Sequence, residues 1–448
     1  MNAKILTRRF FCVSTIVAFA ICGHVHGSEI SVNESFVTGD PVRISVARTR
    51  VKKLVHNAIV NSPLVREARL LQESAILGIT VARSGSLPVI TVGAQSTVNT
   101  ADNQSLMRAN GTPMATVSAQ IPLYDWGRAD AAVRGQRSAA TAAHALIEKR
   151  QQEIASDAVR ACLELERRRS LLAASNHYVQ SVAPLVDILK NIANVDQGRS
   201  GELVQARSRL LQAESVQQSS TGKVREAEVQ LERLVGHESL EDCDDITPEF
   251  ISGTDLQIAR AAVADMPSVR QIDQEYMQQL SVVSQISASR KPQVRLTASY
   301  APINQGLNLY GATLAVFISM PLYDGSNLQA TEQAAVERAD SLTEKRQQVF
   351  QQIDYDVRVG FEQANTQLKT AHDYNQLIIV NEQVRKNFFT QWLSVGKRSL
   401  FELLSAEAEH HSLQTGYINA LYDAAINYAA VRGKVAMLPG LNDEGIKR

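Results

Sequence analysis

The chain has 448 residues, and its 46 basic residues balance 46 acidic ones, so it has no bulk electrostatic attraction for nucleic acid. Four cysteines in this length are too few for a disulfide-scaffold protein. Aromatic residues make up only 5% of a chain rich in Ala, Gln, Leu and Arg, so the composition favours helix.

The first 27 residues have the features of an export signal. Three basic residues precede an apolar run over residues 10–22, and cleavage is predicted after Gly27. A lipid anchor on Cys22 is the weaker alternative, because the residue before it is not small. Beyond the signal, no uncharged apolar run reaches 18 residues, so the sequence contains no candidate transmembrane helix.

The mature chain consists of two copies of one pattern, residues 28–236 and 255–440. Pro63 and Pro88 recur as Pro267 and Pro292, both displaced by 204 residues. Two longer segments recur in the same order, Pro-Leu-Tyr-Asp (122–125 and 321–324) and Glu-Lys-Arg-Gln-Gln (148–152 and 344–348). A fixed order of matched segments predicts an internal duplication.

Each repeat opens with a helix, at about residues 51–84 and 255–289. Proline is tolerated in the first turn of a helix, so the main helices should begin at Pro63 and Pro267.

Two strands then follow in each repeat, at about residues 89–98 and 115–123, and at about 292–301 and 310–322. Their alternate positions are apolar: Ile90, Val92, Ala94, Val98, Val117, Ala119, Ile121, Leu123, Val294, Leu296, Ala298, Tyr300, Ala312, Leu314, Val316, Ile318 and Met320. About ten residues per strand suffice to cross a hydrocarbon layer. A soluble hairpin with one wet face is the alternative.

A long helical pattern comes next, at about residues 126–194 and 326–393, with apolar steps of three, four and seven that are typical of a coiled-coil seam. At 1.5 Å per residue each helix would be about 100 Å long, which predicts a rod or tube. Pro184 should kink or break the first. Return helices at about residues 201–236 and 400–438 follow, and residues 441–448 form a tail.

Residues 237–254, between the repeats, are expected to form a solvated loop because five acidic residues surround Cys243. The sequence does not decide whether Cys243 pairs with Cys162. Catalytic, cofactor and metal signals are missing: no phosphate-binding loop is present, and His410 and His411 point in different directions on a helix. Both histidines are interpreted as surface residues, and the protein is not expected to be an enzyme.

Four strands cannot close a barrel, and an open sheet cannot lie in lipid because its edges would leave unpaired backbone groups. A membrane role therefore requires strands shared among subunits. The rival hypothesis is a periplasmic coiled-coil scaffold in which the strands form a soluble sheet. A diffusion porin is disfavoured by the predominance of helix.

The ordered motifs resemble the TolC-type family of outer-membrane efflux and secretion proteins. The resemblance rests on the helix starts at residues 61–63 and 266–267, the repeated Pro-Leu-Tyr-Asp, and the segment Val-Gly-Lys-Arg-Ser-Leu-Phe-Glu-Leu-Leu-Ser-Ala (395–406). It implies a mostly helical homotrimer whose subunits each give four strands to a shared 12-stranded barrel and long helices to a periplasmic tube. It also implies the outer membrane of a Gram-negative bacterium, a periplasmic adaptor and an inner-membrane transporter.

The family resemblance also implies functional residues at the helical turns. The adaptor-contacting tips would be formed by Val395, Gly396, Ser399, Gly198, Arg199 and Ser200. The channel gate would contain Glu402 and Arg398, with Ser405 in place of a second acid and Leu393 in place of a tyrosine.

Residues 396–407 are closer to family members that serve one-step (type I) protein secretion than to drug-efflux members. The sequence therefore favours secreted protein as cargo, with multidrug or small-molecule efflux as the alternative.

Overall fold

The computed structural model describes residues 41–96, 113–236, 243–251, 255–302, 310–395 and 398–441. The predicted signal, most of both strand-connecting loops and residues 442–448 lie outside these ranges. The helices are α1 (Pro41–Asn61), α2 (Pro63–Ser84), α3 (Arg128–Val195), α4 (Ser200–Val235), α5 (Thr247–Ile251), α6 (Leu256–Ala262), α7 (Pro267–Ser289), α8 (Asn327–Thr390) and α9 (Leu400–Lys434). The strands are β1 (Val89–Ser96), β2 (Pro113–Tyr124), β3 (Gln293–Pro302) and β4 (Tyr310–Ser319).

Helices α2 and α7 both begin at the expected prolines. Ser62 has extended backbone angles, and its hydroxyl accepts a hydrogen bond from the Val65 amide, so the chain leaves α1 and starts α2 at Pro63. The first helix was predicted from about residue 51, but α1 already begins at Pro41. Its buried residues pack into the core against α3 and α5.

The four strands form one antiparallel sheet in the order β1-β2-β3-β4. The register places Ile90 opposite Ala119, Ala119 opposite Ala298, and Ala298 opposite Leu314. Because directly paired residues share a face, the alternating apolar positions of all four strands form one continuous apolar face. Much of it is exposed in a single chain: Val92 is 78% exposed and Leu314 is 72% exposed.

The opposite face of the sheet is polar over most of its area, with Phe317 of β4 as an exception, and the hydroxyls of Thr91 and Ser118 lie 2.6 Å apart across β1 and β2. Strand β4 is shorter than the predicted 310–322, since it ends at Ser319. Ser319 pairs with Gln293, the first residue of β3, so the residues after Ser319 have no backbone partner on that strand.

Two helical hairpins extend from the sheet, α3 with α4 and α8 with α9. Helix α3 has 68 residues and α8 has 64, which correspond to lengths of about 100 Å. Helix α3 continues through Pro184 and also packs against α2, α7 and α9. Apolar residues at these three-, four- and seven-residue steps are largely buried, as at Leu165 in α3 and Ala364 in α8.

No helix in the described part of the chain is long and apolar enough to span a membrane. Helix, two strands, long helix and return helix follow one another in the same order in each half of the chain.

The segment between the halves is not the solvated loop that the sequence predicts: Cys243 and residues 246–251 are buried, and only Asp244 and Asp245 of the described residues 243–251 are exposed. Cys243 forms a disulfide with Cys162 of α3, and α5 is buried along its whole length, with Phe250 completely enclosed. The acidic residues predicted a solvent-exposed loop. Ile246, Phe250 and Ile251 instead supply the apolar surface by which this segment packs on the helices.

A buried carboxylate reinforces this contact. The oxygens of Glu166 accept hydrogen bonds from the Ile246 amide, at 2.6 Å, and from the Thr247 hydroxyl, at 2.5 Å. Burial raises the pKa of Glu166 to about 7, against the lowering effect of these hydrogen bonds.

Candidate functional site

The first helical tip is the turn between α3 and α4. A short 3-10 helix, Gln197–Arg199, connects them, and the Asp196 carboxylate accepts a hydrogen bond of 2.9 Å from the Gly198 amide. Arg199 donates two hydrogen bonds to Glu202, at 3.3 and 2.8 Å, which raise the pKa of the guanidinium further. The turn is thus tied together by local polar contacts, and Ser200 begins α4.

The second tip lies between α8 and α9. Helix α8 passes into one π-helical turn, Gln391–Val395, and Ser399 caps α9. The Ser399 amide donates to Glu402 at 2.9 Å, while the Glu402 amide donates to the Ser399 hydroxyl at 3.3 Å. This reciprocal capping box satisfies two amides at the start of α9. Gly396 lies outside the described residues, as does the Val395 side chain.

The structure brings together two of the four predicted gate residues. Arg398 Nη1 lies 2.6 Å from Glu402 Oε1, and Arg398 Nε lies 3.3 Å from the Gln391 side-chain oxygen. The guanidinium also sits 4.6 Å from the centroid of the Phe388 ring. Hydrogen bonds from the Ser399 amide and from Arg398 lower the pKa of Glu402. Glu402 is therefore ionised at neutral pH and paired within its own subunit.

The other two predicted gate residues do not join this pair. Leu393 is 54% exposed on the π-helical turn, and Ser405 is half-buried one turn further along α9. Leu403 and Leu404, between Glu402 and Ser405, are buried against α3 and Trp392. The tip therefore consists of an apolar cluster with an ion pair at its surface.

A buried polar cluster, which the sequence did not predict, connects three helices above this tip. Arg385 of α8 pairs with Glu382 of the same helix at 2.8 Å and with Glu407 of α9 at 3.0 Å. Its guanidinium also lies 3.5 Å from the Ser181 hydroxyl of α3. Burial raises the pKa of Glu407, although Arg385 opposes this shift. We call Arg385, Glu382, Glu407 and the neighbouring His410 the Arg385 cluster.

The prediction that His410 and His411 are surface residues was wrong. His410 is buried beside Glu382, and burial with the nearby charge of Arg385 lowers its pKa to about 4, so the ring is neutral at neutral pH. His411 stacks on Tyr178 of α3 with ring centroids 4.7 Å apart. The sequence did indicate burial of His410, because it lies seven residues from Leu403 and therefore on the apolar stripe of α9.

The described residues contain no cluster of His, Cys, Asp and Glu that could hold a metal ion. The chemistry of the tips is therefore that of ion pairs, caps and apolar packing.

Comparison with known proteins gives a sequence match over part of the chain. Residues 54–237 match the sequence model of a family described as outer membrane efflux protein. The match covers most of the first of the two repeats and supports, over that part of the chain, the resemblance to TolC-type outer-membrane proteins. No curated protein sequence matches the chain.

Three solved structures have the same fold at low sequence identity. The outer membrane protein VceC from Vibrio cholerae is 16% identical, with a TM-score of 0.71 over 86% of this chain and 96% of its own. A membrane protein from Pseudomonas aeruginosa is 14% identical, with a TM-score of 0.75 over 86% and 92%. The CmeC outer membrane channel from Campylobacter jejuni is 14% identical, with a TM-score of 0.70 over 89% and 88%.

At these identities the likeness shows the fold, and two of the three structures are described as an outer membrane protein and an outer membrane channel.

Proposed function

We propose that this protein is a homotrimeric export duct in which each subunit gives four strands to a 12-stranded barrel and its helical hairpins to a periplasmic tube. The observation that carries this proposal is the sheet, which has one apolar face and two open edges, at β1 and β4. Four strands are too few to close, and open edges are costly in lipid. Three copies would pair every edge.

The strand lengths support a membrane-spanning role. Strands β3 and β4 have 10 residues each and β2 has 12. Ten residues extend about 33 Å, which at a tilt of about 40° covers the roughly 25 Å apolar band of outer-membrane barrels. The exposed apolar face would then meet lipid, and the polar face would line the lumen. We further infer that the two halves of each subunit arose by duplication, with the repeat boundaries given above.

The turns opposite the sheet would form the periplasmic end. We propose that Val395, Gly396 and Ser399, with Gly198, Arg199 and Ser200, contact the adaptor, because they surround the two helical turns. Arg398 and Glu402 would hold the aperture closed, while Leu393 and Ser405 would add no charge to it. Three copies of Glu402 would then form one acidic ring that favours cations.

Two cargoes are candidates. The resemblance of residues 396–407 to protein-secretion members supports a secreted protein, while the description of the matched family as an efflux protein supports small molecules. Comparing secreted proteins and drug susceptibility between a deletion strain and its complemented parent distinguishes them, since each cargo predicts a change in one assay only.

Native mass spectrometry of the purified mature protein, followed by reconstitution in lipid vesicles, tests the duct itself. We expect a trimer that inserts and conducts ions. A monomer that stays in the aqueous phase would support the periplasmic scaffold and contradict the duct.

A further inference from the structure

An aromatic and cationic group lies where the sheet meets the helices. Trp126 follows the end of β2, and its indole N–H donates a hydrogen bond of 2.7 Å to the carbonyl of Pro292, just before β3. The Tyr124 ring packs edge-on against Trp126 with centroids 4.9 Å apart. Lys291 Nζ lies 5.2 Å from the centroid of the Trp126 ring. We call Tyr124, Trp126 and Lys291 the junction platform.

The register places this platform at the edge of the apolar face. A register shift between Pro122 and Tyr124 leaves Tyr124 opposite Val294, which belongs to the apolar set. Tyr124 therefore shares the face that we propose meets lipid, and the next residues along both strands already belong to the junction with the helices. The indole is 44% exposed, so it remains accessible from outside the subunit.

The platform is also rigid. The backbone of Trp126 is left-handed, with φ of 57°, and Gly127 after it has φ of 79°. Together with the hydrogen bond to the Pro292 carbonyl, this turn fixes the direction of the indole. A fixed indole with an apolar body and a satisfied N–H suits the boundary between hydrocarbon and headgroups.

Lys291 supplies an uncompensated charge. The side chain is exposed, and no carboxylate in the described part of the chain lies within ion-pair distance of its ammonium. Its neighbour Arg290 differs, because it pairs with Glu332 at 2.8 Å. The Lys291 ammonium has three N–H donors, and its contact with the Trp126 ring does not give any of them an oxygen acceptor.

We propose that Trp126 and Lys291 form a site for the phosphate group of an anionic phospholipid in the inner leaflet of the outer membrane. The indole marks the headgroup boundary, and the ammonium bonds to a phosphate oxygen. We assign the site to the inner leaflet because the helices, which we propose to be periplasmic, lie on this side of the sheet. The proposal rests on the proposed membrane-spanning role of the strands.

Fluorescence quenching can read this site directly, because the chain has two tryptophans, Trp126 and Trp392. Trp392→Phe leaves Trp126 as the reporter in vesicles that contain brominated phospholipid. We expect stronger quenching when bromine lies near the headgroup than when it lies near the end of the acyl chain. In the reciprocal Trp126→Phe protein, Trp392 reports from the helical tip and should not be quenched.

The role of Lys291 is tested by headgroup preference. In the Trp392→Phe background, brominated phosphatidylglycerol should quench Trp126 with about fivefold preference over brominated phosphatidylcholine, the factor expected for one lysine near a membrane surface. Lys291→Gln should abolish the preference, while the matched control Arg290→Gln should retain it. Added salt should reduce it, because exposed charges are screened.

Equal quenching by the two lipids, or a preference that survives Lys291→Gln, overturns the site. So does stronger quenching by deep bromines, which would place the indole inside the hydrocarbon. A protein that inserts and conducts ions with Trp126 unquenched contradicts this inference alone. A protein that does not insert contradicts the membrane role as well.

Discussion

Replacement of Arg385 by leucine should destabilise the helical tip more than any exposed ion pair could. The Arg385 side chain is 18% exposed and its partner Glu407 is 9% exposed. Arg385→Leu leaves the Glu407 carboxylate buried without a cation, and removal of one partner of a buried pair costs about 3–5 kcal/mol. Because Arg385 retains some contact with water, we expect a loss of about 3 kcal/mol, at the lower end of that range.

This loss should depend on pH in a defined direction. Burial raises the pKa of Glu407, and removal of Arg385 would raise it further. A carboxyl group whose pKa is higher in the folded state gives stability that is present below the unfolded value of 4.5 and lost as the pH rises through the folded pKa. Arg385→Leu should therefore be closest to wild type in acid and most destabilised at and above neutral pH.

The assay is denaturant unfolding at fixed protein concentration, since the stability of the proposed trimer would depend on that concentration. The double variant Arg385→Leu/Glu407→Leu should recover much of the loss, because neither charge remains unpaired. Lys386→Leu is the matched control: it removes a lysine that is 73% exposed and 3.2 Å from Glu382, and should cost under about 1 kcal/mol. A double variant as unstable as the sum of its single changes would refute this reasoning.

Three further changes test the packing of the helical part in the same unfolding assay. Replacement of Cys162 and Cys243 by serine should lower stability by about 2–4 kcal/mol, and an unchanged midpoint would mean that the disulfide contributes nothing. Since burial raises the pKa of Glu166 from 4.5 to about 7, stability falls as pH rises across that interval. Glu166→Gln should flatten the pH profile there, and an unaltered slope would exclude Glu166 as its source. At Gly416, an added Cβ would lie 2.7 Å from the Tyr374 ring, so Gly416→Ala should cost about 1–3 kcal/mol. That cost should shrink in a Tyr374→Leu background, and a cost independent of Tyr374 would contradict the steric argument.

The elements that the sequence predicted well are those whose signal is local. Pro63 and Pro267 mark helix starts because their missing N–H would be unpaired there in any case. The alternation in the strands is likewise local, and it predicted the shared apolar face as far as Ile121 in β2 and Ile318 in β4. Beyond these points the register shift places Tyr124, instead of the predicted Leu123, opposite Val294, and Met320 lies past the end of β4.

The features that the sequence missed depend on contacts distant along the chain. The acidic residues around Cys243 suggested solvent, but the burial of residues 246–251 depends on Glu166 and the disulfide, about 80 residues away. His410 was assigned to the surface because its type is polar, whereas its position on the apolar stripe of α9 determines its burial. The Arg385 cluster needs three helices, and no single helix contains its pattern.

The contacts of Glu402 bear on the proposed gate. We propose that Glu402 contributes to an acidic ring, and within one subunit it is already engaged by its capping box and by Arg398. The pair therefore has two roles in our proposal: it holds the turn before α9, and it sets the charge at the aperture. Loss of Arg398 would therefore release the Glu402 carboxylate and also destabilise the turn before α9.

The most direct test of the gated duct is single-channel conductance of the mature protein in a planar bilayer, compared with Arg398→Ala and with the control Lys386→Ala on the same hairpin. We predict a small resting conductance that grows in Arg398→Ala and stays unchanged in Lys386→Ala. A large conductance that is indifferent to Arg398, or a protein that forms no channel, would contradict the account.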